Sequence, residues 1–262
     1  MDHRTAAPRV GTLAWCESTG GRLSGAEKIA FARNVAALRA EIIFDEFRHR
    51  LGLLRPAAID IATLAPPDSK LVRDADEFAR GIYNDILWAH CMRTYYFGAL
   101  VAAFDGIEFD REVFYAAAIC HDVGMNESAA GPVSMCCFAH SGGRLTCDHL
   151  TQKGHDQTAL RIGNAISTHI NLFVPPNEYP AESTLTAIGA TCDLLGPYVR
   201  RIERSTLAAV VERWPRTGLI ETFGGLVSKK HLDDSRTAVL VEMGGAVDGN
   251  SVHPIEAVLA AS

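Results

Sequence analysis

DREVFYAAAICHDVG, residues 110–124, decides the predicted fold of this chain. Asp110 is a residue type suited to capping a helix, and the small apolar residues that follow favour a buried helix. Gly124 is typical of a helix end, which places His121 and Asp122 in or just beyond the last turn. Neighbouring helical positions differ by about 100° around the axis, so these two side chains can converge on one ion only where the turn loosens. The stretch therefore predicts a helix with a reactive pair at its carboxyl end.

Apolar residues recur at helical spacing on both sides of this stretch. Helices are predicted over residues 25–54, 71–104 with a break near 81, 146–154, 157–171, 183–195, beyond 197 through 214, and 254–259. A stretch rich in Gly, Ser and Pro predicts a loop over 128–144. Residues 236–241 are the best candidate for a strand, although a buried helix explains them nearly as well. The pattern as a whole predicts an all-α fold.

Composition narrows the classes of partner. The 25 Lys and Arg against 31 Asp and Glu are scattered along the chain, which argues against a nucleic-acid partner and favours a small-molecule one. The longest apolar stretches are far short of the roughly 20 residues that a membrane span requires, and the amino terminus is a poor secretory signal. Seven cysteines form no CxxC pair, so thiols in a reducing compartment are expected. We therefore expect a cytoplasmic protein that binds no membrane; a homodimer is compatible with the sequence.

Four residues form a candidate set of metal ligands: His90 on one predicted helix, His121 and Asp122 at the end of another, and Asp193 on a third. Two imidazoles and two carboxylates suit zinc, manganese or ferrous iron, and they leave a coordination position for water. A His-Asp dipeptide by itself arises by chance, and His90 by itself would more often be a hydrogen-bonded core histidine. The combination is much rarer, because a run of small residues leads straight into the pair after a helix that carries His90.

The sequence resembles the HD superfamily of metal-dependent hydrolases, whose metal set is a His, a His-Asp pair and a distant Asp. The closer likeness is to the cyanamide hydratase-like branch, and six segments carry it: APPDS at 65–69, WAHCMRTYY at 88–96, ICHDVG at 119–124, CFAHSGG at 137–143, AISTH at 165–169 and GATCDLLG at 189–196. The likeness covers roughly residues 60 to 200. It implies a single HD-type helical domain with a metal-binding core over residues 81–200, an N-terminal helical extension over 1–80 packed on that core, and a C-terminal extension over 201–262.

Further residues are assigned to the predicted pocket. His169 and His140 are candidate catalytic residues, because an imidazole can transfer protons near neutral pH. Four residues are candidates for substrate contact: Arg93, Thr94, His149 and Phe138. Each has a structural alternative, such as core packing for the aromatic ring or a structural hydrogen bond for the polar groups. In the branch that the chain resembles, an acidic residue is expected after Phe138, where this chain has Ala139; this difference argues against cyanamide itself as the substrate.

These features predict a metal-dependent enzyme that activates water, since a bound divalent ion lowers the pKa of water from 15.7 toward about 7. Zinc is the expected ion, with iron or manganese as alternatives, and the extra histidines resemble those that hold a second ion in some HD enzymes. The reaction is hydrolysis, as in phosphohydrolases, or hydration, as in cyanamide and nitrile hydratases. Only Arg93, Arg144 and Lys153 lie near the ligands in sequence, which slightly favours a small, weakly charged substrate. The alternative is a non-catalytic binding or regulatory protein of the same fold.

Overall fold

The computed structural model describes residues 7–126, 137–227, 235–238 and 252–260. Its helices are α1 (Leu13–Thr19), α2 (Gly25–Arg50), α3 (Lys70–Arg80), α4 (Asp85–Asp105), α5 (Arg111–Cys120), α6 (Phe138–Gln152), α7 (Asp156–Thr168), α8 (Ala181–Leu195), α9 (Arg204–Arg213), α10 (Leu219–Val227) and α11 (Pro254–Ala260). Short 3-10 turns lie at Ile61–Leu64, Val123–Met125, His169–Asn171 and Val199–Arg201. Within these ranges, strand-like pairing is limited to one isolated bridge between Arg22 and Ser235. The prediction of an all-α fold is confirmed.

The central helix α4 is buried on almost every side because its sequence is apolar all round. It packs against α8, and the two backbones approach closely at a glycine. A Cβ at Gly189 of α8 would clash with the carbonyl oxygen of Thr94 on α4. This close crossing brings His90 of α4 within contact distance of Asp193, one turn further along α8.

Helix α5 begins and ends where the sequence predicts. The Asp110 side chain caps its start by accepting hydrogen bonds from two backbone N–H groups of the first turn, and the helix ends at Cys120 with His121 as the C-cap. The reason for Gly124 differs from the predicted one, because this residue does not adopt the left-handed conformation. A Cβ there would instead clash with the carbonyl oxygen of Phe138. The glycine permits backbone contact between the turn after α5 and the start of α6.

The predicted loop over 128–144 is wrong in its second part, because α6 begins at Phe138; residues 127–136 lie outside the described ranges. The glycines that suggested a loop serve a helix crossing. A Cβ at Gly143 of α6 would lie only 2.5 Å from the carbonyl oxygen of Gly163 on α7. Small residues at a helix crossing and in a loop have the same composition, so local sequence could not separate them.

The described part of the candidate strand, residues 236–238, is helical and buried, so the buried-helix alternative holds there; the remaining three residues lie outside the described ranges. Side chains from both predicted extensions belong to the largest buried cluster: Leu13, Leu38, Leu207 and Val258. The domain boundaries at residues 80 and 200 stay predictions. None of the described helices has the length and apolar character needed to span a membrane.

Candidate metal centre

Three potential donor atoms converge in a buried site where α4 meets the end of α5. His90 Nε2 lies 3.2 Å from His121 Nε2 and 3.5 Å from Asp122 Oδ2, and His121 Nε2 lies 3.2 Å from the same oxygen. Atoms that ligate one tetrahedral zinc ion through bonds of roughly 2.0–2.2 Å lie roughly 3.3–3.5 Å apart. The side chains of these three residues are at most 1 % exposed. A search of the described residues for groups that could hold a metal ion finds these three. This grouping, here called the donor group, can hold a metal ion.

The carboxylate of Asp122 points to a cation. It is buried, and neither of its oxygens accepts a hydrogen bond from any described residue. Burial opposes ionisation, but the charges of His121 and His90 lower the pKa of Asp122 to about 2. A buried anion is costly unless it is paired or binds a metal. The chemistry of the site therefore fits a divalent ion.

Two histidines are oriented by backbone carbonyl groups. The Nδ1–H of His121 donates to the carbonyl oxygen of Ala118 at 2.8 Å, and that of His169 donates to the carbonyl oxygen of Ile166 at 2.6 Å. In both cases the acceptor lies three residues earlier, in the helix that ends at the histidine. With a proton held on Nδ1, Nε2 is the nitrogen that each ring offers to a metal: His169 does so as a neutral ring, whereas His121 must first lose its second proton.

Asp193 orients His90 and does not join the donor group. Its Oδ2 lies 2.6 Å from Nδ1 of His90, whereas Nε2 is the ring nitrogen that faces Asp122. Arg93 binds both carboxylate oxygens, at 2.9 and 2.8 Å, and Arg216 donates to Oδ1 at 2.7 Å. Despite burial, the charge of Arg93 and the contact with His90 hold the pKa of Asp193 well below its usual range. In this arrangement other protein groups engage the carboxylate of Asp193, and its predicted role as a direct ligand stays a prediction.

Arg93 and Thr94 are both fully buried, and their predicted roles in substrate contact stay predictions. Arg93 is fully buried, and besides binding Asp193 it donates from Nη1 to the carbonyl oxygens of Trp214 and Pro215, at 3.0 and 2.7 Å. Its guanidinium is therefore committed to protein groups. The backbone of Thr94 lies at the crossing of α4 and α8, and its buried hydroxyl makes no hydrogen bond with the described residues.

The structure brings His169 and Phe138 to the centre. His169 Nε2 lies 3.9 Å from Asp122 Oδ1, and the ring centroids of His169 and His121 are 4.9 Å apart. The ring of Phe138 lies 5.6 Å from that of His169. Burial and the charge of His121 lower the pKa of His169 to about 3, so its ring is neutral near pH 7. Both positions agree with the sequence, while a part in catalysis or substrate contact stays a prediction.

His140 and His149 are not brought to the donor group, and their predicted catalytic and substrate-binding roles stay predictions. His149 stacks on Phe78 of α3, with ring centroids 4.2 Å apart. It shares a face of α6 with Phe138 but lies eleven residues away, which is about 16 Å along the axis. His140 lies two residues from Phe138 and so projects from nearly the opposite side of α6, where it interacts electrostatically with Cys137.

Sequence reasoning missed Phe223 and Tyr83. The ring of Phe223 lies edge-on to His90, with centroids 4.9 Å apart, and the hydroxyl of Tyr83 accepts a hydrogen bond from the backbone N–H of Asp122 at 3.1 Å. Phe223 lies in a Gly-rich segment with weak periodicity, and nothing local marks Tyr83. With Phe223, a small apolar cluster forms beside the centre: Leu87, Met125 and Leu219.

No protein-family model matches the sequence, and a search of curated proteins gave no match. Membership of the HD superfamily therefore stays a prediction that rests on the motifs. The all-α fold and the buried donor group are observed in the structure itself.

Proposed function

We propose that this protein is a metal-dependent enzyme of the HD type that activates water for hydrolysis or hydration of a small molecule. One observation carries the proposal: two imidazole Nε2 atoms converge on the Asp122 carboxylate, whose oxygens accept no hydrogen bond from the described residues. Nitrogen and carboxylate donors suit zinc, with iron or manganese as alternatives, and a group of three leaves coordination positions for water and substrate.

His90, His121 and Asp122 would hold the ion. When bound, a divalent ion lowers the pKa of water toward about 7 and polarises an electrophile beside it. The two oxygens of Asp122 face different partners, since Oδ2 lies in the donor group and Oδ1 faces His169. The donor group would hold one ion, and Asp122 and His169 would hold a second if there are two.

His169 is the residue best placed to move a proton. Its Nδ1–H is held by the carbonyl oxygen of Ile166, so Nε2 presents a lone pair toward Asp122. The ring is neutral near pH 7 and can accept a proton, although a pKa of about 3 makes it a weak base until the charges around it change. Asp193 holds His90 in the orientation that ligation requires, and the ring of Phe223 shields the centre from bulk water.

The charges around the centre favour a small substrate without a phosphate group. Phosphate recognition usually recruits Arg or Lys. Arg93 and Arg216 are both bound to Asp193, whereas Arg144 and Lys153 pair with exposed acidic side chains. A neutral, nitrile-like electrophile therefore suits the described residues better than a phosphate ester.

The closure of the site favours a second candidate function, a binding or regulatory protein with a structural metal. The three ligands are at most 1 % exposed, and Phe223 packs directly on His90. Structural zinc sites take four protein ligands, so this candidate requires a fourth besides the donor group, for which His169 and Asp193 are the candidates. A protein with a structural metal should become less stable when a chelator removes the ion. Chelation should cause no loss of catalytic turnover.

Assays of the metal-loaded protein against small nitriles, phosphomonoesters and nucleotides distinguish these functions. We expect turnover of a small neutral substrate that a chelator abolishes, that added metal restores, and that His121→Ala and Asp122→Ala remove. His149→Ala is the matched control, because it removes a histidine far from the donor group and should retain turnover. Turnover that survives His121→Ala would show that the site is wrong, and metal-loaded protein without turnover would favour the structural metal.

A further inference from the structure

A second cluster of reactive groups surrounds the side chain of Arg236, which is fully buried. Its Nη1 donates to the carbonyl oxygen of Ser167 at 2.7 Å and to Asn171 Oδ1 at 2.9 Å. Its Nη2 lies 3.2 Å from Cys137 Sγ and 3.7 Å from Cys16 Sγ. Two thiols therefore share one charged donor.

The guanidinium is confined by the groups around it. Gly11 has a φ of 88°, and a Cβ at that position would clash with Nη1 of Arg236. On another side, the ring centroid of Trp15 lies 5.7 Å from the guanidinium carbon. Trp15, Cys16 and Cys137 belong to one buried apolar cluster. The two sulfur atoms thus approach the same guanidinium nitrogen, between α1 and the start of α6.

Cys137 has the surroundings of a reactive thiol. It is the N-cap residue of the 15-residue helix α6, and it lies closer to Arg236 than Cys16 does. A guanidinium and a helix N-terminus both stabilise a thiolate. Burial opposes a thiolate, as it does at Cys120 and Cys147, whose pKa it raises; Cys137 is buried too, so the charge of Arg236 must offset that effect.

A base also lies near Cys137. His140 of α6 interacts electrostatically with Cys137 and with Arg236. His140 lies three residues after Cys137, and its buried Nε2 makes no hydrogen bond within the described part of the chain, so this nitrogen is available to relay a proton. The cluster therefore combines a nucleophile, a stabilising charge, a base and a second thiol.

We propose that Cys16 and Cys137 form a redox-active pair that a peroxide converts into a disulfide. The Cys137 thiolate attacks hydrogen peroxide; an S–O bond forms, the O–O bond breaks, and hydroxide leaves a sulfenic acid behind. The Cys16 thiolate then attacks that sulfur; the S–S bond forms, the S–O bond breaks, and hydroxide leaves again. The two hydroxide ions take up the two thiol protons. Two thiols thus lose two electrons, one peroxide becomes two water molecules, and a thiol reductant reverses the bridge.

The bridge links α1 to the start of α6 and removes both sulfur acceptors from Nη2 of Arg236. Cys137 precedes Phe138, whose ring contacts His169, so the linked state changes the packing beside the metal centre. The pair itself contains no residue of the donor group. It can therefore be tested separately from the proposed function.

Mass spectrometry of peptides from the full-length protein tests the pair. The reduced protein is treated with a small excess of hydrogen peroxide, its remaining thiols are blocked with N-ethylmaleimide, and it is digested without reductant. We expect a peptide containing Cys16 joined to one containing Cys137, which dithiothreitol separates. In Cys16→Ser, dimedone should trap a sulfenic acid on Cys137, whereas Cys147→Ser, a matched loss of one buried thiol, should keep the bridge.

The wild-type protein alone can overturn the proposal, so the test does not depend on the folding of a variant. Oxidation of Cys137 no faster than that of Cys147 would overturn it. So would a bridge whose fragment ions place it on Cys136 instead of Cys137, or a Cys16→Ser protein in which dimedone labels nothing at position 137.

Discussion

Replacement of Asp193 by asparagine tests how the metal centre is held together. The substitution keeps the side-chain size but removes the negative charge that Arg93 and Arg216 contact. Removing one partner of a buried ion pair costs about 3–5 kcal/mol, which a domain with an unfolding free energy of about 5–15 kcal/mol can survive. The carboxylate also orients His90 through Nδ1. Loss of such an orienting group lowers metal affinity about 10–100-fold, equivalent to about 1.4–2.8 kcal/mol.

Two measurements separate these effects. Urea unfolding of the chelated protein gives the loss of stability, and competition with a chromophoric chelator gives the zinc affinity of the folded protein. Asp45→Asn is the matched control, because Asp45 is 2 % exposed and pairs with Arg201 at 2.6 Å. We expect the control to lose stability and to keep its zinc affinity.

Either of two results for Asp193→Asn would refute the orienting role. If the variant folds but binds no zinc, Asp193 is a direct ligand, which is what the resemblance to HD proteins implies. The same result is expected for Asp122→Ala. A zinc affinity equal to that of the wild type would show that the contact with His90 does not prepare this histidine for metal binding.

Three further predictions concern the centre and its support. His169→Ala should lower turnover about 10²–10⁴-fold, as for loss of a general base, while His149→Ala should change it less than about threefold; equal losses in steady-state assays would contradict this. Gly189→Ala should destabilise the protein by about 1–3 kcal/mol through overpacking, whereas Gly25→Ala, where a Cβ meets no atom within 4 Å, should leave the stability unchanged or raise it by up to about 1 kcal/mol; urea unfolding checks both. Although burial opposes protonation, the neighbouring carboxylate raises the pKa of His121 well above its usual range, so zinc must displace a proton. Zinc affinity should therefore rise about tenfold per pH unit through neutrality, and a flat profile between about pH 6 and 8 would contradict the competition.

Helix ends could be predicted because their signals are local. The Asp110 side chain bonds N–H groups within its own turn, so the residue itself marks the start of α5. The same reasoning placed His121 and Asp122 at a helix end, where consecutive side chains can converge, and both belong to the donor group. The helical crossing at Gly143 could not be predicted, because its reason lies in Gly163 on another helix.

The roles of charged residues were harder to predict than their positions. Helical spacing predicts that Arg93 lies near His90. Spacing does not reveal that the guanidinium of Arg93 donates to both carboxylate oxygens of Asp193 on α8. Similarly, the motif brought Asp193 to the site without showing which ring nitrogen of His90 it contacts. Pairing of buried charges depends on which helices pack together, and this information is not local.

Metal content tests the central claim most directly. The purified protein is incubated with zinc, freed of excess ion by gel filtration and analysed by mass spectrometry of the metal, together with His121→Ala. We expect at least about one equivalent of zinc per wild-type chain. The His121→Ala protein should lose most of its zinc while its circular dichroism spectrum stays helical and unchanged. Less than about half an equivalent in the wild type after reconstitution, or equal zinc in both proteins, would contradict a metal centre built on His90, His121 and Asp122.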